Sequence, residues 1–126
     1  MPSVKLTKVK PMKFQKQLSQ LISSDDIIKT LPQIEIFYSA KDHNHFNRRL
    51  QQRAINWDMI RLAIAYGKFQ YHSQAKTWTL LDKNLKYTLY ERFIDRLRGL
   101  RIIAANYYED ETIKLSTAYW AYDLRR

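Results

Sequence analysis

Cysteine is absent from the 126 residues, which excludes disulfides, thiol nucleophiles and cysteine-based zinc sites. Glycine and proline are scarce (2 and 3), so little of the chain has the composition of a disordered linker. For the same reason there is no Gly-rich phosphate loop or nucleotide-binding fingerprint, and no serine elbow motif is present. No apolar run approaches the ~18 residues that a membrane span needs, so no membrane partner is expected. The basic start of the chain is not followed by a continuous apolar stretch, so no secretory signal is expected and the cytoplasm is the expected location. Acidic residues are also scarce: 12 against 22 Lys and Arg, for a formal net charge of +10. A positive field of that size favours polyanions and points to nucleic acid, an acidic protein, or both.

An apolar fraction of 45% over this length suits one domain with a modest core. Residues 1–33 read as a basic arm and helical extension. Lys5, Lys8 and Lys10 come with no acid, and Pro2 and Pro11 punctuate the arm. Phe14, Leu18, Leu21 and Ile22 then recur at helical spacing. Ser23 and Asp26 have the spacing of a capping box for a short second helix that Pro32 ends.

Residues 34–126 read as an α+β domain. Ile34–Tyr38 alternates as a strand, and a helix is expected from about Lys41 to Ala54, capped by Ser39 or Asp42, with Phe46, Leu50 and Ala54 as its apolar stripe. Asn56 caps the next helix, with Ile55 and Ile60 as a staple, Asp58 in the first turn and Gly67 at the stop. Strand-like alternation follows at Phe69 and Tyr71 and at Trp78 and Leu80. A turn is expected at Asp82–Asn84, then the β-prone run Tyr87–Tyr90. Leu100–Ala105 is the most apolar strand and is expected at the centre, and Ile113–Tyr122 is the last. The order predicts an α+β fold in which N-terminal helices pack on a twisted antiparallel sheet of four to five strands.

The feature with most chemical content is a row. His45, Arg49 and Arg53 recur every fourth residue, so on a helix they stand nearly above one another. Like charges in such a row destabilise an isolated helix. An anion against them reverses the sign, and a planar guanidinium matches phosphate geometry two bonds at a time.

Taken with Ile55, Leu100-Arg101-Ile102-Ile103 and Ser116-Thr117-Ala118-Tyr119, the row resembles the domain-of-unknown-function family 4258 (DUF4258). The resemblance runs from about Tyr38 to Tyr122 and leaves the first third without a counterpart. It implies a compact fold similar to the barnase-like and RelE-like (BECR) ribonuclease toxins of toxin–antitoxin pairs. Such proteins commonly cut RNA without metal or other cofactor and are often neutralised by an antitoxin, here expected to be acidic.

Metal-free RNA cleavage needs a base for the 2′-hydroxyl, an acid for the leaving 5′-oxygen and cations at the phosphoryl oxygens. His45 suits the base or acid, because imidazole titrates near neutrality. Arg49 and Arg53 suit a phosphate clamp, and Thr117 and Tyr119 suit hydrogen bonds or stacking if the last strand lies beside the helix. Arg48, Arg92, Arg96, Arg98, Arg101 and Tyr71 are the further expected RNA contacts. Trp78, Tyr87 and Tyr90 are other aromatic residues on which unstacked bases can lie. Two alternatives stay open. Arg49 and Arg53 can instead pair with Asp42, Asp58 or Glu91 and hold the helix to the sheet, and the same basic face can bind RNA or an acidic protein without catalysis. Asp42, His43, His45 and His72 do not form a spaced pair of metal ligands. An amphipathic surface of Phe14, Leu18, Leu21 and Ile22 offers a route to an oligomer.

Overall fold

The computed structural model describes residues 2–37, 40–72, 75–105 and 111–124, with side chains described at 13–37, 44–71, 75–105 and 111–123. Two helices come first, α1 (Pro2–Ser23) and α2 (Asp26–Lys29), followed by the short strand β1 (Ile34–Ile36). Helices α3 (Ala40–Gln52) and α4 (Trp57–Tyr66) precede strands β2 (Lys68–His72) and β3 (Ala75–Thr79). Two single-turn helices, α5 (Asp82–Leu85) and α6 (Ile94–Leu97), lead to β4 (Leu100–Ala105) and β5 (Ile113–Trp120).

The architecture is α+β, with N-terminal helices on a mixed five-stranded sheet ordered β1-β5-β4-β3-β2. Strands β2 to β5 form an antiparallel meander with β4 at the centre, as its apolar composition predicts. The sheet is not wholly antiparallel. β1 adds to β5 in parallel, Ile34–Ile36 against Ile113–Leu115, because four α-helices and three strands separate the pair and a crossover sets the direction.

Cross-strand partners share a face. Leu100, Ile102 and Ala104 on β4, with Trp78, Leu115 and Ala118, form the buried face under the helices. Arg101, Ile103 and Ala105, with Thr117 and Tyr119 of β5, lie on the opposite face and stay half-exposed. The register slips between Ile103 and Ala104, which pair with Thr117 and Leu115, so Ser116 is an extra residue in a β-bulge.

Several local expectations need correction. The segment ahead of Lys13 belongs to α1 rather than to an irregular arm. Phe14, Leu18, Leu21 and Ile22 pack on the chain's own core, Leu18 fully buried and Phe14 and Leu21 partly so. The cap of α2 is Asp25, not Ser23: its carboxylate accepts the Ile27 and Ile28 amides at 2.9 and 3.4 Å, while Ser23 bonds back to the Gln20 carbonyl. α3 starts at Ala40, so Asp42 lies inside the helix, and Ser39 lies outside the described residues. Tyr87–Tyr90 is not a strand. Tyr87 has φ 65° and is 92% exposed, and the run turns into a 3-10 helix (Glu91–Phe93). Of the acidic run Glu109-Asp110-Glu111, read from the sequence as a turn, the first two residues lie outside the described residues.

Asn56 caps α4 by accepting the Met59 amide at 2.9 Å, and Ile55 and Ile60 are both buried beside it. Gly67 ends α4 because nothing larger fits: a Cβ there stands 2.5 Å from the Ala63 carbonyl oxygen and 3.1 Å from that of Thr79.

One polar cluster joins the N-terminal helices to the rest. Buried Asp25 accepts the hydroxyls of Tyr66 and Tyr90, each at 2.7 Å, in addition to its two amides. Burial alone raises the carboxyl pKa, but the hydrogen bonds from Tyr90, Tyr66, Ile27 and Ile28 outweigh it and hold the group below its ordinary value. Burial and the Asp25 carboxylate push Tyr66 up to about 12 and also push Tyr90 up.

Candidate functional site

α3 carries two adjacent stripes. Phe46 and Leu50 are buried, with Phe46 stacked on Trp57 at a centroid distance of 6.2 Å. His45 and Arg49 each precede one of these anchors by one residue, so they lie about 100° around the helix and are exposed. Arg53 follows the last helical residue but keeps the spacing, because its amide still donates to the Arg49 carbonyl at 3.0 Å.

The chain then leaves the helix through a Schellman motif. Ile55 N–H donates to Leu50 O at 2.9 Å and Ala54 N–H to Gln51 O at 3.2 Å, with Ala54 in the left-handed region at φ 57°. Ala54 is therefore exposed and does not extend the apolar stripe; Ile55 takes that place. The negative end of the α3 dipole lies at this terminus and favours the cations gathered there.

β1 pairs with β5 only as far as Leu115, with Phe37 N–H adding a bond to the Leu115 carbonyl. Beyond that level the α3 terminus takes over. Arg53 Nη1 donates to the Ala118 carbonyl at 2.7 Å, and Trp120 Nε1 donates to the Arg53 carbonyl at 2.8 Å. Where helix and strand diverge, an open cavity of about 170 Å³ is lined by His45, Phe46, Arg49, Leu50, Arg53, Ser116, Thr117 and Ala118. This is smaller than the ~300–1,000 Å³ typical of small-molecule pockets, and it suits a phosphate with an adjoining sugar better than an enclosed metabolite.

Among the described residues no carboxylate pairs with His45, Arg49 or Arg53. Asp58 pairs with Arg61 at 2.9 Å and Glu91 accepts the Tyr87 amide at 3.1 Å; the side chain of Asp42 lies outside the described residues. Arg53 is held to the sheet, but by a backbone carbonyl, and it keeps its charge.

The other expected contacts scatter. Thr117 lines the cleft, whereas Tyr119 is not among the lining residues and meets Arg101 on the opposite face of the sheet. Arg48 is exposed on α3. Arg92 and Arg96 lie over the rings of Phe93 and Phe14 at 5.0 and 4.6 Å. Arg98 makes a two-point pair with Asp82 at 2.6 and 2.9 Å and reaches Asp95 at 3.3 Å. Its hydrogen bond and charge hold the Asp82 carboxyl below the usual range, and its own charge is offset. Tyr71 is half-exposed on β2, far from the cleft, with three strand spacings between β2 and β5. Tyr90 and Trp78 are core residues rather than platforms for bases.

Sequence reasoning missed Ser116 as a lining residue. Only the bulge brings it to the cavity, and no periodicity announces a bulge. Among the described residues no three His, Asp or Glu side chains are grouped closely enough to hold a metal ion, and no helix is long and apolar enough to cross a membrane. The side chains of Asp42, His43 and His72 lie outside the described residues.

No family model, curated protein or solved structure matches the chain.

Proposed function

We propose that the protein is a toxin-type, metal-independent ribonuclease of the DUF4258 and BECR kind, acting on single-stranded or ribosome-associated RNA, with its site in the α3–β5 cleft. The observation that carries this reading is the convergence of His45, Arg49 and Arg53 on one open cavity, free of carboxylates among the described residues, beside Ser116 and Thr117. His45 takes the proton of a 2′-hydroxyl. The freed oxygen attacks the adjacent phosphorus and the bond to the 5′-oxygen breaks, leaving a 2′,3′-cyclic phosphate and a 5′-hydroxyl. Arg49, and the donors of Arg53 not used on Ala118, stabilise the phosphoryl oxygens as charge builds. Entering and leaving oxygens lie on opposite sides of phosphorus, so one imidazole serves one of them and water protonates the other.

The same observation favours a second reading. His45 is the only imidazole in the lining, and no carboxylate stands beside it there. A cleft with one such group also suits a binding module that holds RNA, or an acidic protein such as an antitoxin, without cutting. Incubating the protein with mixed single-stranded RNA in the presence of a chelator separates the two. The nuclease reading expects products ending in a cyclic phosphate, lost in His45→Gln. Intact RNA at high protein concentration, with binding retained, assigns the binding module.

A further inference from the structure

The open face of the sheet holds a further cation with no carboxylate partner among the described residues. Arg101 projects from the central strand β4 and is half-buried. Its Nε donates to Thr79 Oγ1 at 2.9 Å, its Nη1 reaches the Tyr119 hydroxyl at 3.5 Å, and its guanidinium carbon lies 6.0 Å from the Tyr119 ring centre. Both partners are neutral. Among the described residues no carboxylate pairs with it and Nη2 has no acceptor. The acid on the described strands of this face, Glu35, is held by Lys114 at 2.7 Å. A half-buried charge without a counterion is costly, and an anion on the free edge of the guanidinium removes the cost. Thr79, itself buried, fixes which edge stays free.

Arg101 is also in line with the cleft. Thr117 both lines the cavity and shares the open face with Tyr119, and Tyr119 is the cross-strand partner of Arg101. Two residues along β5 and one strand across place the Cα atoms of Thr117 and Arg101 roughly 8 Å apart, which a side chain's reach brings to the spacing of consecutive phosphates in an extended polynucleotide. We infer that Arg101, pinned by Thr79 and backed by Tyr119, binds the phosphate next to the one at His45, Arg49 and Arg53, so the ligand is a single strand of nucleic acid that leaves the cleft around β5 and crosses the open sheet face. A duplex is too stiff to make that turn within one nucleotide. The inference rests on the cleft holding a phosphate, not on its cutting one.

Two 2′-deoxy oligonucleotides, which 2′-hydroxyl attack cannot cleave, test it by NMR titration: a dinucleotide with one bridging phosphate and a trinucleotide with two. The wild type is expected to bind the trinucleotide about tenfold more tightly, in line with a charge-assisted contact. Arg101→Met should remove that gain and leave the dinucleotide unchanged. The trinucleotide's log–log salt slope should fall by about 0.7. Arg101→Lys, which keeps the charge without the fork, should restore part of the gain, and unchanged spectra elsewhere establish that the variants fold. Equal binding of the two ligands by wild type, or equal loss of both in Arg101→Met, overturns the inference. So does a hexaglutamate peptide that displaces the trinucleotide at equal concentration, which assigns the face to an acidic protein. A wild type that cuts no RNA but shows the two-phosphate gain ends the nuclease reading and leaves this one standing.

Discussion

Two polar clusters in this molecule are built on opposite plans. Asp25 is a buried anion whose oxygens accept four donors, two tyrosine hydroxyls and two amides. His45, Arg49 and Arg53 form a basic row at the surface, where among the described residues one protein acceptor, a strand carbonyl, is supplied to Arg53. A saturated buried charge holds elements together and has nothing left to offer a ligand. An unsaturated exposed row does little for the fold and can serve a ligand. The comparison separates residues that make the structure from residues that the structure presents.

It also dictates what each cluster should lose. The largest effect is expected at His45. His45→Gln should lower RNA cleavage by roughly 100- to 10,000-fold, the range of a single acid–base group, with no more than about 0.5 kcal/mol change in urea-unfolding stability. Activity within a few-fold of wild type removes His45 from the chemistry.

Asp25 should behave the other way round. Asp25→Ala removes a helix cap and strands two tyrosine hydroxyls, which together should cost about 3–4 kcal/mol. Its pKa is lower in the folded chain, so its contribution is complete above the unfolded value of ~3.9 and fades as pH falls through the folded value. Tyr66 is raised, so its share is complete below ~10 and fades as pH rises toward about 12. Thermal midpoints measured across pH should therefore form a plateau between these limits. A variant that unfolds at the wild-type urea concentration, or a plateau ending near neutrality, contradicts the saturated cluster.

Arg49 and Arg53 sharpen the contrast within one row. Arg49→Met should weaken single-stranded RNA binding several-fold and reduce the salt slope by about 0.7, leaving stability unchanged. Arg53→Met should do the same and also cost about 1 kcal/mol, because the Ala118 carbonyl loses its donor. Equal stability of the two variants removes the structural role of Arg53. The smallest effect is a gain. Ala54 holds a left-handed conformation that glycine adopts without strain, so Ala54→Gly should stabilise the chain by about 1 kcal/mol in the same unfolding assay.

How far these features were legible depends on the distance along the chain over which each is encoded. Asn56 as a cap, the stop at Gly67, the central place of Leu100–Ala105 and the every-fourth-residue row are all written within a few residues, and each holds. Tyr87–Tyr90 misled because alternation of aromatic and β-branched residues states a preference, and the Thr88 hydroxyl bonds of a local turn outcompeted it. Tyr119 misled differently. Its strand was recognised, but which face it occupies follows from the register and the bulge at Ser116.

The amino-acid sequence by itself determined that this chain carries a strong positive charge, lacks thiol chemistry, folds as helices on a sheet and aligns His45, Arg49 and Arg53 on one helix face. Those are properties of composition and short-range periodicity. Only the tertiary structure decided that the row opens onto a cleft beside Ser116 and Thr117, that Arg101 and Tyr119 meet on the far face, and that Asp25 closes the N-terminal helices onto Tyr66 and Tyr90. Each of those contacts joins residues 18 to 72 positions apart, and no local pattern encodes a distance that packing alone sets.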